Sequence, residues 1–169
     1  YEGYFDKEFL NIPDECLTLT MQKNQKFVPL KTKGNQLSNK FLIVSNIYTH
    51  NPKNIIEGNE RVLKARLSDA QFFFNLDKKK NFEDSVKKLS KVIYHNKLGN
   101  YYDRTLRLVS LTSKWGNFLG LDKKLCERAA LLSKADLTSR MVDEFPELQG
   151  IMGKYYAKFS GENTEICSA

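Results

Sequence analysis

The chain contains 169 residues, of which 41% are hydrophobic, so it can bury the core of one domain or of two small halves that share an interface. Its formal net charge of +7 and its pI of about 9.2 favour a polyanionic partner, most simply a nucleic acid. Three widely spaced cysteines exclude a disulfide framework, and no apolar run approaches the roughly 20 residues of a membrane span. We therefore expect a soluble, cytoplasmic protein with no membrane partner. Because the sequence does not begin with methionine, we also expect an internal piece of a longer protein.

Residues 1–52 are predicted to form a small α+β segment with an aromatic beginning at residues 1–12. Pro13, Asp14 and Glu15 predict the start of a short helix that ends near Lys23, because proline suits the first turn and carboxylates suit its positive end. Residues 17–21 also alternate between apolar and polar side chains, which fits a strand. Both interpretations of this stretch stay open.

A small antiparallel hairpin is predicted from two β-rich runs, residues 25–30 and residues 41–47. Gly34 lies between them and can supply the positive φ that a tight turn requires. A two-stranded hairpin alone is only marginally stable in water. We therefore expect it to lie on the helices or to pair with strands from outside this chain.

Residues 53–169 are predicted to form a helical domain. In residues 58–74, Val62, Ala65, Asp69 and Phe72 or Phe73 share one stripe, which we expect to face the core, with Leu63, Ala70 and Phe74 beside it. The overall prediction is an α+β fold that is mainly α.

Later helices are predicted from their starts and their apolar faces. Asn81 and Asp122 are predicted N-caps, and Pro146 is predicted to begin a further helix that Gly161 ends. For the helix after Asn81 the expected apolar residues are Phe82, Val86, Leu89, Val92 and Ile93, with Gly99 ending that unit. For the helix at residues 101–119 they are Leu106, Val109, Leu111 or Thr112, and Trp115.

Motifs of catalysis are missing from the sequence. The two histidines, His50 and His95, have no acidic or histidine neighbour at metal-ligand spacing. There is also no CxxC pair, no phosphate-binding glycine loop and no G-x-S-x-G elbow. We therefore predict no catalytic residue, no metal site and no cofactor in this chain.

Arg128 and the apolar residues 129–132, followed by Ser133 and Lys134, look like the central helix of the HD phosphohydrolase superfamily. Members of that superfamily place a metal-binding His-Asp pair where Ser133 and Lys134 stand here. A hydroxyl and an ammonium group cannot replace those ligands, and the ammonium would repel a divalent cation. We interpret the pair as a degenerate HD position, or else as an ordinary exposed surface in the case of Lys134.

Several long blocks, in order, carry a resemblance that covers essentially the entire chain. They are FDKEFLNIPDECL, Gln25-Lys26, NPKNIIEGNERVLKARLSDAQFFFNLDKKK followed by FED, KLG at residues 97–99, LLSKADL with MVDEFPELQG, and MGKYYAKFSGE. The chain resembles an internal part of the β subunit of the bacterial, heterotetrameric glycyl-tRNA synthetases. Val28, which stands where an aromatic is common, is one small departure.

The resemblance implies a subunit that supports the attachment of glycine to tRNA(Gly). In that family the α subunit holds the glycine, ATP and Mg²⁺ site, and the β subunit chiefly holds tRNA and includes an HD-like helical domain without metal ligands. The implied partners are tRNA(Gly), the α subunit and the remainder of the β subunit. The implied role is therefore that of a ligase component whose chemistry occurs on another chain.

Phosphate contacts would be the physical basis of a role in holding tRNA. The candidate RNA-contact residues are Lys78, Lys79, Lys80, Lys87, Lys88, Lys91, Arg104 and Arg107. Two other hypotheses remain: a structural scaffold that contacts the α subunit without touching RNA, and a surviving metal-dependent HD phosphohydrolase.

Overall fold

A computed structural model describes residues 1–169, apart from the side chain of Asn24. The chain divides into two compact units, Tyr1–Phe74 and Asn75–Ala169. The sequence placed a boundary after residue 52, whereas this division falls inside helix α2 (Lys53–Lys78). The reason is that Glu60 and Lys64 of α2 bind residues of the N-terminal strand region: the Tyr4 N–H donates to Glu60 Oε1 at 2.7 Å, and Lys64 Nζ lies 2.8 Å from Asp6 Oδ2.

The first unit combines a small sheet with helices. Its elements are β1 (Glu2–Tyr4), a 3-10 helix (Lys7–Asn11), α1 (Asp14–Leu19) continued by a π-helix (Thr20–Asn24), β2 (Val28–Lys31), β3 (Leu37–Leu42) and α2 up to Phe74. Pro13 is the N-cap of α1, with Asp14 and Glu15 in its first turn. The predicted helix is confirmed here, and the strand interpretation of residues 17–21 is wrong.

An antiparallel sheet in the order β1-β3-β2 confirms the predicted hairpin and extends it. Its second strand ends at Leu42 rather than at residue 47, and β1 comes from the aromatic N-terminal stretch. The turn also differs from the prediction, because Asn35, with φ of 62°, takes the left-handed conformation instead of Gly34. Since β1 pairs with β3, the hairpin does not stand as two strands alone.

Phe41 is the centre of this unit's aromatic core. Its side chain is fully buried, and its ring centroid lies 4.8 Å from that of Phe27 and 6.5 Å from that of Phe5. Gly3 is its register partner on β1, and a Cβ at Gly3 would lie 2.7 Å from the Phe41 ring. Glycine is therefore the residue that lets β1 pass over the ring.

The buried face of α2 differs from the predicted one. Leu63, Leu67, Ala70 and Phe74 are buried, whereas Val62 and Phe72 are 45% and 59% exposed. The buried set recurs every three or four residues, so it lies on one face of the helix. The predicted stripe through Val62 and Phe72 lies on another face and is open to solvent.

The second unit is helical. Its elements after α2 are α3 (Phe82–Lys88), a 3-10 helix (Leu89–Lys91), β4 (Ile93–His95), β5 (Gly99–Asn100), α4 (Tyr101–Phe118), α5 (Lys123–Leu132), a 3-10 helix (Ala135–Thr138), α6 (Arg140–Glu144), a 3-10 helix (Pro146–Leu148), α7 (Ile151–Phe159) and α8 (Thr164–Ser168). Helices therefore dominate a chain with small antiparallel sheets, which confirms the predicted fold class. None of the described helices is long and apolar enough to cross a membrane.

Two predicted caps of this unit are confirmed by their hydrogen bonds. Asn81 Oδ1 accepts from the Glu83 N–H at 3.0 Å, and Asp122 Oδ1 accepts from the Lys124 N–H at 2.7 Å. Gly161 follows α7 with φ of 80°, as expected for a residue that ends a helix. Pro146 begins a 3-10 helix rather than a long α-helix, and α7 starts only at Ile151.

The predicted inward face of α4 is only partly correct: Val109 and Thr112 are half-buried, but the other predicted residues are not. Leu106, Leu111 and Trp115 are all exposed, with Trp115 at 57%. The buried residues of α4 are Thr105 and Gly116. A Cβ at Gly116 would lie 3.1 Å from Cys126 Sγ of α5. Because α5 approaches so closely, only a small residue fits between the two helices, and the large side chains of α4 lie outside this contact.

Candidate nucleic-acid interface

A short exposed hairpin, β4–β5, connects the 3-10 helix after α3 to α4. Ile93 pairs with Asn100 and His95 with Gly99 in its antiparallel register. The turn closes through the Leu98 N–H, which donates to the His95 carbonyl at 3.0 Å, and through Gly99, whose φ is 87°. The sequence analysis missed this hairpin, because Val92 and Ile93 were assigned to the apolar face of α3. Ile93 is in fact exposed.

The start of α4 is fixed by a capping box directly after the hairpin. Asn100 Oδ1 accepts from the Asp103 N–H at 2.9 Å, and Asp103 Oδ2 accepts from the Asn100 N–H at 3.2 Å. This exchange satisfies two N–H groups at the helix terminus and uses the Asp103 carboxylate locally. The next residue, Arg104, then projects from the first turn of α4.

Arg104 and Arg107 both contact the hairpin. The Arg104 guanidinium carbon lies 4.2 Å from the ring centroid of Tyr94 and 5.8 Å from that of Tyr101. Those two rings meet edge to face with centroids 5.4 Å apart. Arg107 Nη2 donates to the Leu98 carbonyl at 3.2 Å. The two arginines predicted as RNA contacts thus hold the hairpin against α4. Arg107 is exposed, and Arg104 is half-buried.

Three of the six candidate lysines are engaged within the second unit. Lys78 Nζ lies 4.4 Å from the ring centroid of Phe159. Lys80 Nζ lies 2.7 Å from Asp77 Oδ1, and Lys87 Nζ lies 3.8 Å from Asp84 Oδ1. The charges of Lys80 and Lys87 are therefore partly compensated by neighbouring carboxylates.

The other three candidate lysines, Lys79, Lys88 and Lys91, are exposed. Among the residues that the structure describes, no carboxylate oxygen lies within 4.0 Å of their ammonium groups. Uncompensated, solvated ammonium groups are the kind that can neutralise phosphates. These three are consequently the strongest lysine candidates of the predicted set.

An apolar groove of about 530 Å³ forms a second feature of the unit, between α4, α5 and α8. Trp115 and Leu119 line it from α4, Cys126 and Ala129 from α5, and Ile166 from α8. Beside it, Phe118 is 80% exposed and packs edge to face with Trp115 at 5.9 Å. Contiguous exposed apolar surface with polar residues around it is typical of a contact with another molecule.

Comparison with known proteins gives one consistent family. The model described as "Glycyl-tRNA synthetase beta subunit" matches residues 1–169. The chain belongs to the glycyl-tRNA synthetase beta subunit family. Its similarity to the glycine–tRNA ligase beta subunit of Neisseria meningitidis serogroup C is 54% identity over 168 residues, which is 99% of this chain and 24% of that protein.

Two further relatives of the family carry the same name. The protein from Ralstonia nicotianae is 50% identical and the one from Aromatoleum aromaticum 49% identical, each over 169 residues, 100% of this chain and 24% of the relative. The resemblance stated from the sequence is therefore confirmed. The chain spans about a quarter of the length of these curated relatives, and each of the three is named as a glycine–tRNA ligase beta subunit.

Ser133 and Lys134, which were predicted as a degenerate HD position, lie directly after α5 in this synthetase-family chain. Ser133 Oγ donates to the Ala130 carbonyl at 2.9 Å and also lines the apolar groove. Lys134 is half-buried and contributes a favourable charge near Asp136. Neither side chain is placed as a metal ligand, and no group of three or more His, Cys, Asp or Glu residues able to hold a metal occurs among the described residues.

Asp136, two residues further on, is a buried carboxyl group that was not singled out from the sequence. Its Oδ2 accepts from the Gly150 N–H at 2.6 Å and from the Gly153 N–H at 3.1 Å, which caps α7. Burial raises the pKa of the Asp136 carboxyl, and these two hydrogen bonds and the Lys134 charge oppose that shift. One carboxylate therefore joins residues 131–137 of this chain to residues 147–153.

Proposed function

We propose that this chain is the part of a glycyl-tRNA synthetase β subunit that helps to hold tRNA(Gly) while glycine is attached to it. The contacts are proposed to come from five cationic side chains, Lys79, Lys88, Lys91, Arg104 and Arg107, which together are called here the basic surface. Its contacts go to phosphates, so they contribute affinity and position without reading base sequence.

The charge balance around the hairpin is the observation that carries this proposal. Residues 88–107 contain five lysines and arginines, Lys88, Lys91, Lys97, Arg104 and Arg107, and a single carboxylate, Asp103. Because Asp103 is used in the capping box of α4, it offers little compensation to its neighbours. A stretch with this imbalance attracts a polyanion at long range and binds it at short range.

The bond-making step is proposed to lie outside this chain. ATP, glycine and Mg²⁺ bind at the α subunit, and this part of the β subunit supplies no reacting group. The partners proposed for it are tRNA(Gly), the α subunit and the remainder of the β subunit. The helical unit is proposed to be an HD-like domain whose ligand positions are occupied by Ser133 and Lys134.

Salt dependence of tRNA binding tests the role of the basic surface. In the full β subunit assembled with its α subunit, Lys79, Lys88 and Lys91 are replaced together by alanine, and tRNA(Gly) affinity is measured at several salt concentrations. Each lost phosphate contact reduces the magnitude of the negative slope of log affinity against log salt concentration by roughly 0.7 to 0.9. For three lost contacts we therefore expect a magnitude that is smaller by about 2 to 3.

A matched triple variant controls for net charge. Lys7, Lys33 and Lys124 are also exposed lysines, and they lie outside the basic surface. Their replacement by alanine removes the same charge and should change the slope by much less, because only long-range attraction is lost. Equal slopes for the basic-surface variant and the unsubstituted enzyme would contradict the proposal.

The apolar groove favours a second candidate function, a scaffold that packs against the α subunit without touching RNA. A Trp115→Glu substitution places a charge on the rim of the groove and should weaken assembly of the two subunits, measured by sedimentation, because a buried unpaired charge is costly. Val44→Glu is the control, since Val44 is 84% exposed and lies outside the groove. Normal assembly of the Trp115→Glu variant would exclude the groove as this contact.

A further inference from the structure

We propose that Tyr94, supported by Arg104, is a stacking platform for an unpaired base of the bound RNA. This inference rests on the proposed function and deepens it, because it names the part of an RNA that the hairpin surface takes. The basic surface would bind any phosphate backbone, whereas the ring binds a nucleobase that has left its helical stack.

The geometry around Tyr94 supports this role. Its ring has the Arg104 guanidinium over one face at 4.2 Å, and the Tyr101 ring meets it edge to face. Two contacts therefore fix the ring's orientation on the hairpin. Tyr94 nevertheless remains 37% exposed, so part of the side chain is free to meet a ligand. An ordered, partly exposed ring loses little conformational entropy when a base stacks on it.

The surroundings of Tyr94 match a nucleic acid better than an apolar protein surface. Lys91 precedes the hairpin, Lys97 lies in its turn, and Arg104 and Arg107 lie behind it on α4. A base that stacks on Tyr94 would have its phosphates within a surface of the opposite charge. Aromatic faces interleaved with cations are the arrangement by which proteins bind single-stranded nucleic acids.

The shape of RNA requires that a base which stacks on Tyr94 be unpaired. In an A-form duplex both faces of each base are covered by its neighbours, and side chains cannot read the deep, narrow major groove. Bases in loops, bulges and single-stranded ends have a free face. A protruding tyrosine ring can therefore reach those regions of an RNA and not the interior of its helices.

Binding of single-stranded and double-stranded RNA tests the inference in the full β subunit assembled with its α subunit. The probes are oligouridine and a blunt-ended RNA duplex of equal length, with affinity read from fluorescence anisotropy. Tyr94→Ala should weaken oligouridine binding by roughly 5- to 150-fold and leave duplex binding unchanged. Tyr94→Phe keeps the ring and should bind both probes as the unsubstituted enzyme does.

Two further variants separate stacking from folding and from exposure alone. Tyr94→Leu keeps apolar bulk on the hairpin without an aromatic face, so it should lose oligouridine affinity as Tyr94→Ala does. Tyr48→Ala removes another exposed tyrosine, outside the hairpin, and should change neither affinity. None of the Tyr94 variants removes a charge, so the salt slope of binding should stay the same.

Opposite outcomes distinguish this inference from the proposed function. If Tyr94→Leu and Tyr94→Ala bind oligouridine normally while the triple lysine variant binds tRNA poorly, the stacking role is wrong and the basic surface stands. If neither set of variants changes RNA binding, both proposals are wrong. Equal losses for oligouridine and duplex would assign Tyr94 a structural role and overturn the stacking platform.

Discussion

Asp136 accepts a hydrogen bond from the backbone N–H of Gly150 at 2.6 Å, across fourteen residues of sequence. Gly150 is the N-cap residue of α7 and has φ of 82°, a conformation that glycine adopts without strain. The same carboxylate oxygen accepts from Gly153 at 3.1 Å. Asp136 Oδ1 has no hydrogen-bond partner among the described residues. A side chain from one 3-10 helix thus caps the N-terminus of α7. We expect this contact to contribute to the stability of the second unit.

The raised pKa of Asp136 predicts a pH dependence of stability. Burial makes the folded chain hold the Asp136 proton more tightly than the unfolded chain, where the carboxyl titrates near 3.8. Its contribution is therefore fully present below that pH and is lost as pH rises through the folded-state pKa. Asp136→Asn cannot titrate. We expect the stability of the unsubstituted chain relative to this variant to decrease as pH rises above 3.8 and through the higher folded-state pKa.

Urea unfolding followed by tryptophan fluorescence measures this difference, because Trp115 is the single tryptophan and lies in the second unit. Asp143→Asn serves as the control, since Asp143 is an exposed carboxylate of the same unit. If the stability of the unsubstituted chain relative to Asp136→Asn instead increased with pH, the pKa of Asp136 in the folded chain would be lowered rather than raised.

Two glycine-to-alanine substitutions should have opposite effects. A Cβ at Gly153 would lie 3.3 Å from Asp136 Oδ2, and that carboxylate is held in place by its two hydrogen bonds. At Gly58 of α2 a Cβ would meet nothing within 4 Å. Gly58→Ala should therefore stabilise the chain by about 0.5 to 1 kcal/mol, the usual helix-propensity gain, whereas Gly153→Ala should destabilise it by about 1 kcal/mol. Thermal unfolding followed by circular dichroism compares them, and equal gains in Tm would show that Asp136 moves aside.

Features set by neighbouring residues could be predicted from the sequence. Asn81 and Asp122 cap helices through N–H groups two or three residues away, so their roles depend on local geometry alone. The α1 start at Pro13 is of the same kind. By contrast, α2 carries one apolar set at Leu63 and Leu67 and another at Val62 and Phe72, and periodicity does not tell which of the two the core will cover.

The residues of the candidate interface could be predicted from the sequence, but the contacts among them could not. The charges of Lys88, Lys91 and Arg104 are plain in the sequence, and their RNA role stays a prediction. That Arg104 stacks on Tyr94 depends on a hairpin whose second strand has only two residues, Gly99 and Asn100, too short for any pattern. The same holds for Asp136, whose partners at Gly150 and Gly153 become visible only when α7 is in place.

Loss of the Asp77 carboxylate should destabilise the second unit. Asp77 is buried, and its Oδ2 accepts from the Met141 N–H at 2.9 Å and from the Tyr156 hydroxyl at 3.3 Å. Asp77→Ala removes the acceptor of a buried backbone N–H, which costs about 2 kcal/mol. The ion pair with Lys80 adds little, because that ammonium group is partly exposed.

Tyr156→Phe is the matched variant for Asp77→Ala, because it removes the hydroxyl and keeps the ring beside Phe82 at 6.0 Å between centroids. We expect it to cost less than about 1 kcal/mol. Urea unfolding by Trp115 fluorescence gives both values. The explanation would be wrong if the two variants cost the same, since the Met141 N–H keeps its acceptor in only one of them.

Thiol reactivity should divide the three cysteines into two classes. Cys16 of α1 is fully buried, and burial raises the pKa of its thiol to about 12, whereas Cys126 and Cys167 are partly exposed. Since the thiolate is the reactive form, only about one Cys16 thiol in ten thousand is ionised near pH 8. A thiol reagent that releases a coloured product should therefore report two fast thiols in the folded chain and a third only in denaturant. Cys16→Ala should abolish the third reaction and leave the two fast reactions unchanged. If this variant lost one of the fast reactions instead, Cys16 would be a fast-reacting thiol, which would show that α1 opens readily.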